Sequence, residues 1–361
     1  MFIKGYQGKV AGNLKPHFAG SFDHSQGNQV TEGENGIGRF FKTEEKAGLN
    51  ISVFFAETVP RKWSFPLFYW DYALGVLLLS LLFAFTLGSS GTEGRSFLSD
   101  LSQADAHSLI LAFTGGVVFN LANLLLVAAI DIAGMAVAFP VGIGLALVIG
   151  VITNYVATPV GNAWLLFAGV ALVTLAIVLD AIAYLKKQQG QTQTPLKGIV
   201  VSLIAGVLMG FFYRFVAASM ITDFSMPEAG KLTPYSASVI FALGLLVSNF
   251  VWNTIFMYKP LSGEKVTYAD YFAERGLGLH LVGILGGVIW SIGFTLNIIA
   301  SGKAGFAISY GLGQGATLIA ALWGVLIWKE FKGVQKVTGL LGLMFLFYVI
   351  GLALIIAARL Y

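Results

Sequence analysis

The chain has 361 residues, of which 57% are hydrophobic and only 11% are charged, whereas soluble domains carry about 25% charged residues. A soluble globule of this composition could not cover its surface with polar groups, which excludes a cytosolic enzyme and a disordered chain. The absence of cysteine excludes disulfides, thiolate zinc sites and cysteine nucleophiles. The histidines lack the spacing of a metal site. They are His17, His24, His107 and His280. The composition therefore predicts a polytopic helical membrane protein, and we expect no metal or cofactor.

The N-terminal part differs from the rest of the chain. Residues 1–66 hold 14 of the 40 charged residues and contain turn-rich stretches such as Gly33-Glu34-Asn35-Gly36. No basic stretch followed by an apolar run is present, so we expect no signal peptide. We expect 1–62 to be a polar segment that is either disordered or an artefact of the gene model.

Nine apolar runs follow, each about as long as the ~20 residues that a membrane-spanning helix needs. The predicted spans are 67–88, 107–130, 134–157, 163–185, 197–220, 235–258, 277–300, 304–328 and 336–358. Short loops separate them, which predicts a bundle in which consecutive helices are antiparallel. Several spans contain closely spaced glycines, which allow helices in a membrane to pack tightly.

The basic residues between the spans are unevenly distributed. We call side X the side that holds the N-terminal flank and the loops near 186–197, 259–276 and 329–336. Side X carries eleven basic residues: Arg61, Lys62, Lys186, Lys187, Lys197, Lys259, Lys265, Arg275, Lys329, Lys332 and Lys336. The other side carries four: Arg95, Lys231, Lys303 and Arg359. The positive-inside rule therefore predicts that side X is cytoplasmic and that the C-terminus lies outside.

The sequence contains an internal repeat. Residues 115–150 align without gaps on 286–321, with 11 identities in 36 positions and five glycine pairs in register. A weaker match pairs Ala73-Leu-Gly75 with Ala242-Leu-Gly244. The two copies of the Gly-Gly helix are five crossings apart, and an odd number of crossings inverts a copy. Inverted repeats are typical of secondary transporters.

The repeat register indicates that one helix is missing from the first half. The span 197–220 maps back onto 27–51, which is too polar to cross a membrane. We therefore expect a ten-helix (5+5) architecture whose first helix is missing or replaced, or a gene model with a misplaced start. The expected division is a first repeat of four helices, 63–188, and a second repeat of five helices, 196–361.

Four stretches resemble the drug/metabolite transporter superfamily, within it the branch of bacterial glucose/ribose porter-type permeases and plant ureide permeases. They are Trp63-Ser-Phe-Pro-Leu-Phe-Tyr-Trp-Asp-Tyr-Ala-Leu-Gly75, Leu81-Leu-Phe-Ala-Phe-Thr-Leu-Gly88, Gly115-Gly-Val-Val-Phe-Asn-Leu-Ala-Asn123 and Asp131-Ile-Ala-Gly-Met-Ala-Val-Ala-Phe-Pro140. The resemblance covers about 63–361. It implies two five-helix inverted repeats and proton-coupled carriage of sugars or nitrogen-rich small solutes. The short central loop, Lys186 to Pro195, differs from the long loop of the plant permeases and favours the bacterial branch.

Ionisable residues within predicted spans each cost ~2.5–3.5 kcal/mol. Asp180 lies about five residues from the cytoplasmic end of its span, where snorkelling explains it and a functional role is the alternative. Asp71, among Tyr69, Trp70 and Tyr72, is either a proton-coupling or substrate-binding carboxylate or an interfacial residue in an aromatic belt. Arg214 either pairs with Asp71, clamps a polar solute or snorkels to the interface. We expect His280, near the start of a span, to be interfacial.

Uncharged polar and aromatic residues within the spans are typical of a site for a hydroxyl- or amide-rich solute. The predicted substrate-binding residues are Trp70, Asp71, Asn120, Asn123, Arg214, Asn249, Asn253, Trp290, Asn297, Tyr310 and Gln314. The alternative for each amide is a hydrogen bond that holds two helices together, worth ~0.6 kcal/mol. Pro140 should kink its helix, as a hinge or through packing alone.

These features predict a secondary active transporter rather than a channel, an enzyme or an ATP-driven pump. There is no ring of like charges, no intramembrane catalytic pair and no phosphate-binding loop. The expected function is sugar or metabolite transport by a permease in symport with protons, in the bacterial inner membrane. The expected partners are a small polar solute, protons and the lipid bilayer, without nucleic acid. The alternative is a multidrug or metabolite exporter of the same superfamily, with an aromatic-lined apolar cavity.

Overall fold

The computed structural model describes residues 64–90, 94–187, 196–223, 228–273, 276–327, 329 and 331–361. Nine helices in these ranges are long and apolar enough to cross a membrane. They are α1 Phe65–Phe85, α2 Ala106–Ala133, α3 Phe139–Ala157, α4 Ala163–Lys187, α5 Leu196–Ser219, α6 Pro234–Tyr258, α7 Leu277–Ala304, α8 Phe306–Ile327 and α9 Thr338–Leu360. Two short connecting helices, Phe97–Gln103 and Tyr268–Ala273, precede α2 and α7. The predicted all-helical membrane bundle and its nine spans are confirmed.

Helix ends follow from local sequence. Asp105 caps α2 because its carboxylate accepts a hydrogen bond from the backbone N–H of Ser108 at 2.6 Å. The hydrogen bonds from Ser108 hold the pKa of Asp105 below its ordinary value. Helices α2 and α7 end at Gly134 and Gly305, whose φ angles of 77° and 87° favour glycine. These two glycines are partners in the internal repeat.

Several helices are interrupted within the bundle. The first six residues of α3, Phe139–Gly144, are π-helical around Pro140, which lacks the N–H of a regular helix. The end of α8, Trp323–Ile327, is also π-helical. Helix α6 breaks between Asn249 and Trp252.

Helices α1 and α7 make a backbone contact that recurs between α6 and α2. A Cβ atom added at Gly287 would lie 2.0 Å from the carbonyl oxygen of Tyr72, and one added at Gly116 would lie 2.0 Å from that of Phe241. Gly116 and Gly287 are 171 residues apart, and Tyr72 and Phe241 are 169 apart. The packing contact therefore follows the two sequence registers of the repeat.

A second contact repeats the same correspondence. A Cβ at Gly75 would lie 2.1 Å from the carbonyl oxygen of Ile284, and one at Gly244 would lie 2.1 Å from that of Phe113. Gly75 and Gly244 are 169 residues apart, and Phe113 and Ile284 are 171 residues apart, as in the first contact. Helices that approach to this distance leave room for glycine alone, which explains why these glycines recur in register.

The two copies run in opposite directions. The carbonyl oxygen of Tyr69 on α1 accepts a hydrogen bond from Asn249 on α6, and that of Pro66 accepts one from Asn253. The later residue on α6, Asn253, contacts the earlier residue on α1, Pro66, so the related helices α1 and α6 are antiparallel. Their arrangement fits the predicted inverted topology.

On the side opposite X, a buried carboxylate joins two connections. Asp100 lies on the short helix Phe97–Gln103. Its carboxylate accepts hydrogen bonds from Nε of Arg95 at 2.9 Å and from the backbone N–H of Thr233 at 2.8 Å. The Arg95 side chain also donates to the carbonyl oxygen of Lys231 at 2.9 Å. These bonds fix the segment before α2 against the segment before α6. The predicted N-terminal segment 1–62, and the stretch 27–51 within it, lie outside the described residues.

Candidate functional site

Asp71 lies in the second turn of α1, at the end of the helix near side X. Its side chain is buried, with 2% of the residue exposed. One carboxylate oxygen accepts a hydrogen bond from the Tyr271 hydroxyl at 2.6 Å, and the other lies 2.8 Å from Nδ1 of His280. Tyr271 belongs to the connecting helix Tyr268–Ala273 and His280 to the first turn of α7. Three separate elements therefore meet at one carboxylate.

A glycine allows this convergence. A Cβ atom added at Gly283, one turn after His280 on α7, would lie 2.4 Å from the Cβ of Asp71. Burial, followed by the hydrogen bond to Asp71, raises the pKa of Tyr271, which lies outside the spans. The hydroxyl therefore keeps its proton and acts as a donor to the carboxylate.

Arg214 does not pair with Asp71. Both oxygens of Asp71 are engaged by Tyr271 and His280, and Arg214 lies 18 residues beyond Leu196 on α5, about 27 Å along the helix. It is half-buried near the end of the bundle opposite side X. No hydrogen bond or ion pair of its guanidinium involves the residues that the structure describes.

Three of the predicted amides share one arrangement. Asn120, Asn249 and Asn253 are fully buried. Their side-chain nitrogens donate to backbone carbonyl oxygens of Leu245 at 3.1 Å, Tyr69 at 3.5 Å and Pro66 at 2.8 Å, respectively. Their side-chain oxygens meet no donor within the described part of the chain. Three enclosed acceptors thus remain at the junction of α1, α2 and α6.

The Tyr69 hydroxyl lies at the same junction. It is buried and has no hydrogen-bond partner among the described residues. The amide of Asn123, one turn from Asn120 on α2, lies beside this hydroxyl but outside hydrogen-bond geometry. Tyr69 was not among the predicted site residues, although it is two positions from Asp71.

Trp290 lies where α2, α6 and α7 meet. Its ring stacks on Phe294 at 5.0 Å and 12° and on Phe241 at 5.9 Å and 21°. It also contacts Phe119 at 4.6 Å and Tyr72 at 6.2 Å. These rings, which we call the aromatic cluster, lie next to the buried amides through Tyr72, which stacks on Tyr69 at 5.3 Å.

Trp70 points to a different neighbourhood. Its indole N–H lies 3.3 Å from the sulfur of Met257, and its ring packs edge-on against Phe250 at 4.9 Å. Both partners belong to α6 or its break. Its ring also lies 5.8 Å from that of Tyr268, so the contacts of Trp70 join α1 to α6 and to the connecting helix Tyr268–Ala273.

Asn297, Tyr310 and Gln314 lie on α7 and α8, apart from the junction of α1, α2 and α6. Asn297 donates to the carbonyl oxygen of Ser309 at 2.7 Å, and the Ser309 hydroxyl donates to the carbonyl oxygen of Asn297 at 2.6 Å. The Tyr310 hydroxyl lies 3.2 Å from the carbonyl oxygens of Ala146 and Met209. Gln314 is half-buried. The bonds of Asn297 and Tyr310 hold helices together.

Sequence reasoning missed the partners of Asp71. His280 was expected at the interface, and its position at the start of a span was the only available signal. Tyr271 lies in a loop 200 residues from Asp71, and nothing in its local sequence indicates the contact. In the described ranges, no three His, Asp or Glu residues are grouped so that they could hold a metal ion.

The nine apolar helices with polar groups enclosed between them define a multi-pass membrane protein. A family model described as "Ureide permease" matches residues 68–193 and 186–358. These ranges cover most of the chain, so the protein belongs to the ureide permease family. Membership indicates a transporter rather than an enzyme.

Individual relatives agree with this family. The chain is 23% identical to "Ureide permease 1" of Arabidopsis thaliana over 349 residues, covering 80% of this chain and 88% of the relative. It is 23% identical to "Glucose uptake protein GlcU" of Bacillus subtilis (strain 168) over 260 residues, covering 70% of this chain and 77% of the relative. The predicted resemblance to the branch of ureide permeases and glucose porters is confirmed, as is a transporter of small solutes.

Proposed function

We propose that the protein is a secondary active permease that carries a small polar solute, such as a sugar or a ureide-like metabolite, by proton-coupled alternating access. The observation that carries this proposal is the buried carboxylate of Asp71, held by Tyr271 and His280 from two other elements. An ionisable group inside a span is costly and marks a functional position. A merely interfacial carboxylate would keep its oxygens in water.

The geometry suggests how a proton is coupled to movement. The ionised carboxylate accepts from the Tyr271 hydroxyl and from His280 Nδ1, which joins α1, α7 and the loop between α6 and α7. A proton on Asp71 occupies one of these acceptor positions and turns it into a donor. The link at side X therefore weakens on protonation, and the balance between conformations open to either side shifts with it.

The position in the cell and the internal division belong to the same proposal. We place side X in the cytoplasm and the protein in the cell membrane of a bacterium, as an inner-membrane permease. The glucose uptake relative from a bacterium supports this placement. We propose that 63–188 and 196–361 are the two repeats, because the glycine contacts between α1 and α7 and between α6 and α2 follow the two registers of the repeat.

An exporter of apolar compounds is the second candidate, and the aromatic cluster is the observation that favours it. Phe241 and Phe294 are 4.5 Å apart, and Trp290 and Phe119 are 4.6 Å apart, between ring centroids. At these distances the rings pack against each other as a core rather than line a cavity. The buried amides are the better match to a solute, which favours a polar one.

Uptake into proteoliposomes with an imposed proton gradient tests the proposal. The probes are radiolabelled D-glucose and hydantoin, a cyclic ureide. Asp71→Asn should retain exchange of solute without a gradient and lose gradient-driven accumulation. Asp180→Asn, which alters another acid within a span near side X, is the matched control and should retain both. Gradient-driven accumulation by Asp71→Asn would show that the carboxylate is only interfacial.

A further inference from the structure

We propose that Tyr69, Asn120 and Asn249 form a recognition site that reads hydrogen-bond donors on the solute. The donors are the N–H groups of a ureide or the O–H groups of a sugar. The inference deepens the proposed function and rests on it. It specifies which face of the solute is recognised and which atoms of the protein recognise it.

The orientation of the amides is fixed by their surroundings. An asparagine presents either its oxygen or its NH₂ group, and only the hydrogen-bond network decides which. The NH₂ groups of Asn120 and Asn249 face the backbone carbonyl oxygens of Leu245 and Tyr69. A carbonyl oxygen only accepts, so turning either amide over would place oxygen against oxygen. Each amide is therefore left with its oxygen, an acceptor, for another partner.

These acceptors are enclosed rather than solvated. Asn120 and Asn249 are fully buried and Tyr69 is 1% exposed, and none of the three polar atoms meets a partner among the described residues. Leaving buried polar atoms unpaired is costly, and native proteins keep few of them. Several at one junction indicate a functional group that is completed by a ligand carrying donors.

The three residues belong to one place in the bundle. Asn120 donates to the hydroxyl of Ser248 at 2.8 Å, and Ser248 directly precedes Asn249. Asn249 in turn is bonded to the backbone of Tyr69. Tyr72 stacks on Tyr69 at an interplanar angle of 13° and also contacts Trp290, so the aromatic cluster borders this junction.

Tyr69→Phe is the sharpest variant because it removes one unpaired hydroxyl and nothing else. Its unliganded melting temperature should equal or exceed that of the wild type, because an unpaired buried polar atom is lost. Its affinity for the solute should nevertheless fall by about tenfold, since a site hydroxyl no longer pairs with the solute. A purely structural role does not produce higher stability together with weaker binding.

Tyr213→Phe is the matched control. Tyr213 on α5 is also buried, and its hydroxyl also has no hydrogen-bond partner in the part of the chain that is described. Its ring packs against Tyr310 at 5.1 Å and not against the junction of α1, α2 and α6. The same chemical change there should leave affinity unchanged.

The experiment measures thermal unfolding of purified full-length protein in detergent, with and without probe, because a ligand that binds the folded state raises the melting temperature. The probe pairs are hydantoin with 1,3-dimethylhydantoin and D-glucose with its fully O-methylated derivative. The parent of at least one pair should stabilise the protein, and its methylated form, which lacks donors, should not. The pair that responds identifies the source of the donors.

Three results would overturn the inference: equal binding of methylated and parent probes, unchanged affinity of Tyr69→Phe, or no binding of either parent at millimolar concentration. Binding in detergent needs no gradient, so the outcome is separate from transport. Donor-selective binding without proton-driven uptake would refute the proposed function alone. Proton-driven uptake without donor selectivity would refute the recognition site alone.

Discussion

Substitution of Gly287 tests the close packing of α7 on α1, the helix that carries both Asp71 and Tyr69. In Gly287→Ala the new Cβ would lie 2.0 Å from the carbonyl oxygen of Tyr72 and 2.8 Å from the backbone nitrogen of Val76, whereas ordinary contacts begin at 3.4 Å. Both neighbours are backbone atoms that no side-chain rotation relieves, so α1 and α7 must separate. Overpacking costs about 1–3 kcal/mol, and a clash with backbone atoms lies at the upper end of that range, about 3 kcal/mol. Alanine regains about 1 kcal/mol of helix propensity, so we expect a net loss of about 2 kcal/mol.

Thermal unfolding in detergent measures this loss, and Gly293→Ala is its control. Gly293 lies on the same helix, and no atom lies within 4 Å of a Cβ added there. The control should therefore be as stable as the wild type or slightly more stable. Equal melting temperatures for Gly287→Ala and Gly293→Ala would refute the close packing of α1 on α7.

Three further predictions concern the sites and the orientation. Tyr271→Phe removes one hydrogen bond to the carboxylate of Asp71, worth about 1.5–3 kcal/mol. Proton-driven uptake should fall at least about tenfold while solute binding in detergent persists, and unchanged uptake would exclude Tyr271 from coupling. Asp100→Ala leaves Arg95 and the N–H of Thr233 without their buried partner and should destabilise the protein by about 3–5 kcal/mol, whereas an unaltered melting temperature would contradict this role. A cysteine at Gln191 should resist an impermeant thiol reagent in intact cells and react after permeabilisation, because side X is predicted to be cytoplasmic. Labelling in intact cells would reverse the orientation.

The helices were largely predictable, and the glycines at their contacts were predictable in part, because both follow from simple constraints. A bilayer requires long apolar runs, and close backbone contact requires glycine, so the register of Gly116 and Gly287 carried tertiary information. The interruptions of the helices were harder to predict. Pro140 indicated the irregular start of α3, but the break of α6 after Asn249 has no comparable local signal.

The candidate site was predictable only in part. The cost of a charge in a membrane identified Asp71, whereas its partner Tyr271 comes from a loop whose position depends on the whole fold. The amides Asn120 and Asn249 were recognised as polar residues in apolar spans. Which of their atoms remains unpaired depends on the carbonyl oxygens of neighbouring helices, and a sequence does not specify those contacts.

Helix α1 carries Asp71 towards α7 and Tyr69 towards α2 and α6, two residues apart and about 200° around the helix axis. Under the proposed function, the energy source and the cargo are recognised on opposite surfaces of a single helix. Substitutions on the surface facing α2 and α6 then change the cargo without altering the residues that use the gradient. Such a separation would let relatives named for ureides and for glucose share one scaffold.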